Sequence, residues 1–348
     1  MKVLLAPYSE NHYQLSLKQA FDNSEIFLFP AIESSFLPIL RSYFLYKVDI
    51  IHFHWLGTYI IGRNIIVSAF KFLLFLFELT ACKILGVKFL WTVHNLYNHE
   101  KYQYKTEIFF NKILFRIIKN VIVHSHGQKK YLKSFYSLGP DIEIDVAYEG
   151  NYKKFYSPLL NQSEARGKLR IDEKKKVFLF FGNIRGYKGV DILISAFKRV
   201  SKDNLLLIAG KPYDSNIKES IEIQIKNEEN IIFSPGFASK EETALYFSAC
   251  DAVVLPYSDI FNSGLAILTI SYGKAAIYSD IEFLEEILKD GGYPFKTGDV
   301  SSLSEIIAKS DRNKMIEYGI NNLKKSDIYT WENHCNILKG VYEKLLGK

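Results

Sequence analysis

Histidine is crowded into the first third of the chain. His12, His52, His54, His94, His99, His124 and His126 all precede residue 127, leaving one histidine for the rest. In Ile51-His52-Phe53-His54-Trp55 the two imidazoles alternate, so an extended backbone turns both to one face. His94 closes the apolar run 90–94 and His124 closes 121–124. Imidazoles delivered to the carboxyl ends of strands stand where open α/β sheets bind ligands. Neutral imidazole accepts a hydroxyl proton near pH 7, which makes His94 the leading hydroxyl-binding or general-base candidate. Glu100, in the polar loop Asn95-Leu96-Tyr97-Asn98-His99-Glu100, is the second. A metal site is disfavoured, because no His-Glu-x-x-His helix occurs and carboxylates are scarce beside these histidines. Hydrogen-bonded core histidines are the plain alternative.

A different chemistry collects in the second half. Gly182-Asn183-Ile184-Arg185-Gly186-Tyr187-Lys188-Gly189 follows an apolar run and opens an amphipathic one. Its glycines allow close backbone approach, while Arg185 and Lys188 set two cations beside a helix start, an arrangement suited to a diphosphate. It is neither the Gly-x-Gly-x-x-Gly pattern nor a Walker loop, and a surface turn is its plain alternative. The second such loop is Tyr257-Ser258-Asp259-Ile260-Phe261-Asn262-Ser263-Gly264-Leu265. There Ser263 and Gly264 can offer a hydroxyl and backbone amides to an anion. Two anion-binding helix starts on one sheet imply a pyrophosphate ligand.

The frame for both sets is a run of alternating elements. Strands are expected at 2–6, 25–29, 49–55, 88–94, 120–124 and 142–147, then at 177–182, 205–209, 231–233, 252–256, 275–278 and 292–295. Near-continuous Val, Ile, Leu and Phe in these runs, separated by helical lengths, indicate parallel sheets covered on both faces. The fold class is therefore α/β, with two Rossmann-like doubly wound domains facing across a cleft. Residues 1–155 form the first domain and 156–329 the second. The polar stretch 149–176 is read as the junction. Residues 330–348 form a last helix with one apolar face, expected to pack back on the first domain. The dense apolar stretch 65–85 is interrupted by Lys71, Glu78 and Lys83, each costing on the order of 3 kcal/mol near a bilayer centre. It reads as a buried or interfacial helix carrying Phe70, Phe72, Phe75 and Phe77 on its surface, not as a span.

Composition narrows the rest. The chain has 348 residues, 48% hydrophobic and 24% charged, which excludes a disordered or fibrous protein. Three distant cysteines, Cys82, Cys250 and Cys335, point away from a disulfide scaffold and toward a reducing cytoplasm. The N-terminus resembles no signal peptide. Residues 1–155 hold 18 Lys and Arg against 12 Asp and Glu and so account for the whole formal charge of +6. No nucleic-acid-binding signature accompanies that basic, aromatic half, so an anionic inner membrane face is the expected contact.

Several motifs together carry a resemblance. They are Gly182-x-x-Arg185-x-x-Lys188-Gly189, Gly236-Phe237, the run 249–256 (Ala-Cys-Asp-Ala-Val-Val-Leu-Pro), Ser263-Gly264-Leu265 and Ser271-Tyr272-Gly273-Lys274-Ala275. In these the chain resembles nucleotide-sugar glycosyltransferases of the GT-B fold, near glycosyltransferase family 4. Its first half is similar to bacterial exopolysaccharide glycosyltransferases in Asn11-x-Tyr13-Gln14-x-x-Leu17, His52-x-His54-Trp55, the run 91–96 and His99-Glu100. The resemblance implies that Gly182, Asn183, Arg185 and Lys188 surround the donor diphosphate. It sets Gly236 and Phe237 beside the nucleobase, and Ser263, Gly264 and Leu265 at the phosphates or sugar. Asn11, Tyr13, His54 and Asn95 fall on the acceptor side, with His94 and Glu100 as catalytic groups. Many members carry two glutamates eight residues apart, where this chain has Phe261 and Thr269; Thr269 and Asn262 are the substitutes at hand.

The implied activity is transfer of a sugar from a nucleoside-diphosphate sugar to a glycan or polyprenyl-diphosphate-linked glycan in bacterial surface polysaccharide synthesis. It would run at the cytoplasmic membrane face without metal or cofactor and without a nucleic-acid partner. A nucleotide-sugar epimerase on the same fold and a non-catalytic GT-B partner of an assembly complex are the alternatives.

Overall fold

Each of the twelve apolar runs forms a strand, and the strands divide into two sheets of six. The computed structural model describes residues 1–22, 24–33, 36–98 and 102–348. In the first sheet β1 (Lys2–Ala6), β2 (Phe27–Pro30), β3 (Ile50–Phe53), β4 (Lys88–Thr92), β5 (Asn120–Val123) and β6 (Glu143–Val146) lie in the order β2-β1-β3-β4-β5-β6. The second has β7 (Lys176–Phe181), β8 (Asn204–Gly210), β9 (Ile231–Pro235), β10 (Ala252–Leu255), β11 (Ala275–Ser279) and β12 (Gly292–Phe295), ordered β12-β11-β10-β7-β8-β9. Every pairing is parallel, with Leu5 opposite His52 and His52 opposite Leu90 in the first sheet. The chain winds outward from β7 through β8 to β9, then returns to β10 on the other side of β7. The loops after β7 and β10 therefore flank a topological switch point, the usual ligand position of such sheets.

Two compact units result: Met1–Gly150 with Trp331–Lys348, and Asn151–Thr330. The junction thus falls five residues before the expected 155/156 boundary. Asn151 and Tyr152 already bond into the second unit, Asn151 Nδ2 donating to the carbonyls of Ser326 (2.9 Å) and Tyr329 (2.8 Å), and the Tyr152 amide to Ser271 Oγ (3.3 Å).

The last helix, Trp331–Leu346, lays Cys335, Leu338, Val341 and Tyr342 against Tyr13, Leu17 and Phe21 of the helix His12–Phe21. Leu338 and Tyr342 are fully buried, so truncating either costs roughly 2–5 kcal/mol. The second core gathers Phe178, Phe180, Leu206, Ile208, Val254 and Ile277 from the strands with Leu193, Ile194 and Phe197 from the helix Val190–Phe197.

Two expectations change. The polar stretch 149–176 contains a helix, Gln162–Leu169, capped by Asn161. It is anchored by one buried charge: Arg166 Nη2 pairs with Asp251 Oδ2 at 2.8 Å, while Nε donates to the Ala249 carbonyl at 3.1 Å. In the helix Ile65–Ile84, only Phe70 and Phe77 of the four phenylalanines face outward. Phe72 and Phe75 share the inner face with Leu79 and Cys82, as a 3.6-residue period dictates.

Candidate active site

The loops after β7 and β10 are laced together. Gly189 has φ +70°, and a Cβ built there would lie 1.9 Å from the Pro256 carbonyl oxygen, so only glycine permits this approach. The Ser258 amide donates to the Tyr187 carbonyl at 2.9 Å, and Ser258 Oγ to the same oxygen at 3.2 Å. On this platform Arg185 lies over the Tyr213 ring, 5.0 Å from its centre, and Lys188 Nζ lies 5.8 Å from the centre of Tyr257. Burial, and then the neighbouring Arg185 charge, lower the Lys188 pKa to about 8. The two cations repel each other in a partly desolvated place, where an anion would relieve both costs.

Other donor-side candidates arrive at the same edge of the sheet with different freedom. Gly182 and Asn183 directly follow β7, and Gly236 and Phe237 follow β9, the Phe237 ring being 85% exposed. Asn262 Oδ1 accepts from the Ser263 amide (2.9 Å), and Ser263 Oγ caps the helix Gly264–Ser271 by accepting from Ala266 N (3.3 Å). The Ser263 amide expected to meet an anion is thus engaged inside the loop, while its hydroxyl oxygen accepts at the helix start. The Gly264 and Leu265 amides, in the first turn, have no intrahelical acceptor. Thr269 is fully buried, and its hydroxyl donates to the Leu265 carbonyl at 2.7 Å. Its expected ligand role is corrected, because the side chain is turned into its own helix. Phe261 is also buried.

In the first unit the histidines converge, joined by His334 from the last helix. His52, His54, His94, His124 and His334 are each 0–6% exposed. His124 Nδ1 lies 2.9 Å from the Ala147 carbonyl oxygen, which can only accept, so Nδ1 carries the proton. His124 Nε2 then accepts from His94 Nδ1 (3.3 Å), and His94 Nε2 from His54 Nδ1 (3.1 Å). By the same logic His334 Nδ1 donates to the Tyr148 carbonyl (2.9 Å) and Nε2 accepts from the Tyr13 hydroxyl (2.9 Å). His52 bonds the hydroxyls of Tyr342 and Thr92, both at 2.7 Å. Burial is the main cause lowering the pKa of all five, that of His334 to about 3. They are neutral at pH 7, as the tautomers require.

This geometry corrects the leading catalytic candidate. Both ring nitrogens of His94 are engaged by other histidines, and Trp55 stacks on it at 4.3 Å with planes 15° apart. The hydrogen-bonded core reading therefore describes His52, His94 and His124. Glu100 lies outside the described residues. Of the acceptor-side candidates, His54 and Asn95 line one cavity together with Trp55, Asn98 and Glu107. Asn11 and Tyr13 do not join them. Asn11 Oδ1 caps the helix His12–Phe21 through the Gln14 amide (2.9 Å), and Tyr13 is buried against His334. Glu107 is the residue the motifs missed. Its signal was a lone carboxylate on the apolar stripe of Phe110, Leu114 and Phe115. Among the described residues no group of three His, Cys, Asp or Glu is placed to hold a metal ion.

Residues 161–322 match the family described as glycosyl transferases group 1. Over 241 residues the chain is 23% identical to GDP-mannose:glycolipid 4-beta-D-mannosyltransferase of Xanthomonas campestris pv. campestris, covering 68% of this chain and 63% of that relative. It is 26% identical over 225 residues to lipopolysaccharide 1,2-N-acetylglucosaminetransferase of Salmonella typhimurium, covering 59% of this chain and 58% of the other. Among solved structures, sucrose-phosphate synthase from Thermosynechococcus elongatus superposes with TM-score 0.77 at 17% identity, over 99% of both chains. HepE of Anabaena in complex with UDP gives 0.74 at 15%, over 100% of both. The matched stretches span about three-fifths of the curated relatives' length, whereas the structural likeness runs the full length of the chain. The chain has the two-sheet GT-B fold of the glycosyltransferase structures it superposes on, and its residues 161–322 match the glycosyl transferases group 1 domain.

Proposed function

We propose that the chain transfers a sugar from a nucleoside-diphosphate sugar to a glycan or lipid-linked glycan in the synthesis of a bacterial surface polysaccharide. The observation that carries this reading is the mutually repelling pair Arg185 and Lys188 at the switch point of β7 and β10, partly desolvated and interlaced with a second helix start. Leaving-group charge on the diphosphate grows as the sugar departs, and fixed cations there are worth about 3–4 kcal/mol for each well-placed donor. Two relatives whose names specify glycolipid and lipopolysaccharide chemistry support the acceptor class. With two cations to neutralise the diphosphate, the reaction needs no metal. Turnover should persist in chelator, and a requirement for added Mg²⁺ or Mn²⁺ would contradict this part.

The basic half is proposed to rest on an anionic membrane at the cytoplasmic face. Helices Pro38–Tyr46, Ile65–Ile84 and Tyr104–Ile117 contain two acidic residues, Glu78 and Glu107, both buried. Their exposed residues include Arg41, Lys83, Lys105, Lys112 and Arg116 beside Phe44, Ile66, Phe70, Leu73, Phe77 and Phe109. Apolar and cationic side chains on one set of helices suit a helix lying in the headgroup region. Ile65–Ile84 is long and apolar enough to cross a bilayer. Its inner face is packed, however, and Glu78 Oε1 accepts the Ile39 (2.8 Å) and Leu40 (3.0 Å) amides, so a surface position fits better.

Thermal-shift screening against UDP-, GDP- and dTDP-sugars tests donor binding, since a ligand of the folded state raises apparent stability. Incubating a stabilising donor with and without lipid-linked glycan extract then separates the rivals. Transfer only with acceptor supports the proposal; a new sugar nucleotide from donor alone indicates an epimerase, and binding without any product a non-catalytic partner.

A further inference from the structure

The loops after β7 and β10 run past each other residue by residue. Ser258 bonds the Tyr187 carbonyl through its amide, and Gly189 lies against the Pro256 carbonyl. The pair between these two is Lys188 and Tyr257. That register carries the lysine over the Tyr257 ring, with Nζ 5.8 Å from the ring centre. The ring cannot swing away, since Tyr257 is 1% exposed and its backbone is held on both sides by those contacts.

Lys188 has three N–H donors and no acceptor. Three half-buried lysines of the second unit can be compared. Lys176 Nζ donates to the Ser310 carbonyl at 2.9 Å, and Lys274 Nζ to the Cys250 carbonyl at 3.0 Å. Among the described residues, which include the whole second unit, none accepts from Lys188 Nζ or forms an ion pair with it. The neighbouring charge is that of Arg185, on the same loop, and it opposes the ammonium, as burial does. The tyrosines beside it, Tyr187 and Tyr257, have pKa values raised by burial and stay neutral. What favours the ammonium is the electron-rich face of the Tyr257 ring. The face alone is in use, because the Tyr257 hydroxyl is buried without a hydrogen-bond partner.

We propose that Tyr257 is a positioning residue of the donor site, its ring face holding the Lys188 ammonium charged and in place until a diphosphate arrives. This role rests on the proposed diphosphate reading of Arg185 and Lys188, and it gives Tyr257 no contact of its own with the nucleotide.

Isothermal titration of UDP and of GDP from about pH 6.5 to about pH 9 reads the role as a pH profile. Wild-type affinity should fall as pH rises past about 8, where Lys188 gives up its proton. Tyr257→Met removes the ring face, so the ammonium is harder to keep and the fall should begin about 0.5–1 pH unit lower. Tyr257→Phe keeps the face and should bring the onset back to that of the wild type. Lysine-selective NMR of the wild-type chain needs no buried substitution. There the Lys188 ε-methylene, assigned by its disappearance in Lys188→Met, should be shifted upfield by the ring beneath it.

A fall that begins at the same pH in wild type and in Tyr257→Met, even with affinity lowered throughout, would show a merely structural tyrosine and overturn the proposal. So would a Lys188 methylene at the position of the exposed lysines. Absence of binding of either nucleotide to the wild type at every pH would overturn the diphosphate reading, and this role with it.

Discussion

His124 Nδ1 and the Ala147 carbonyl oxygen, 2.9 Å apart, set the proton positions of three consecutive histidines. Because each of these rings is neutral, the first unit should be acid-labile. In the unfolded chain the same residues titrate near 6.5, so below that pH the unfolded state binds more protons and stability falls with pH. His334, lowered to about 3 by burial, alone should cost about 2 kcal/mol between pH 7.5 and pH 5. Its loss corresponds to roughly 4–8 °C in Tm for a domain of this size. Circular dichroism melts at the two pH values check this; a Tm unchanged to within a degree would contradict neutral buried rings.

Gly189 offers a test of the laced loops. Gly189→Ala puts a Cβ 1.9 Å from the Pro256 oxygen at φ +70°, which should cost about 2–5 kcal/mol and weaken nucleotide binding. Gly186→Ala, three residues away, has nothing within 4 Å of its Cβ and no positive φ, and should be nearly silent. Urea unfolding distinguishes them, and similar curves for both variants would show that the approach of the two loops is unimportant.

Vesicle co-sedimentation addresses the membrane proposal. Phe70 and Phe77 are 64% and 58% exposed. Replacing both by serine removes apolar burial worth roughly 1.5–3 kcal/mol per fully inserted ring, so binding to anionic vesicles should drop about tenfold or more. Wild-type binding should also fall with salt and be weak on zwitterionic vesicles. Equal sedimentation of wild type and double variant would remove this face as the contact.

The strands were legible because parallel sheets need apolar residues on both faces, and runs such as Val177–Phe181 and Ala252–Leu255 show nothing else. Helices with polar inner faces were harder to see. His12–Phe21 buries Gln14 and Ser16 beside its stripe of Tyr13, Leu17 and Phe21, and Gln162–Leu169 buries only Ala165 and Arg166, so the latter shows no apolar stripe. Nothing local in the polar stretch read as the junction marks Arg166 as buried, because its partner Asp251, at 2.8 Å, lies 85 positions on. At the candidate site, Arg185 and Lys188 could be chosen because local spacing beside a helix start carries their chemistry. His94 could not be judged locally. Whether an imidazole meets a ligand or another imidazole depends on His54 and His124, each at least 30 positions away. Glu107 was hidden the opposite way, since one carboxylate in an apolar stripe reveals a buried acceptor only once Asn98 folds over it.

Isothermal titration of UDP and of GDP into the wild-type chain and into Lys188→Met and Arg185→Met tests the central claim most directly. At least one nucleotide should bind the wild type, and each substitution should weaken it by about 10–100-fold, the worth of a charge-assisted contact, with the melting temperature retained. Wild-type affinity in both variants, or no binding of either nucleotide to the wild-type chain, would contradict a diphosphate site on these two cations.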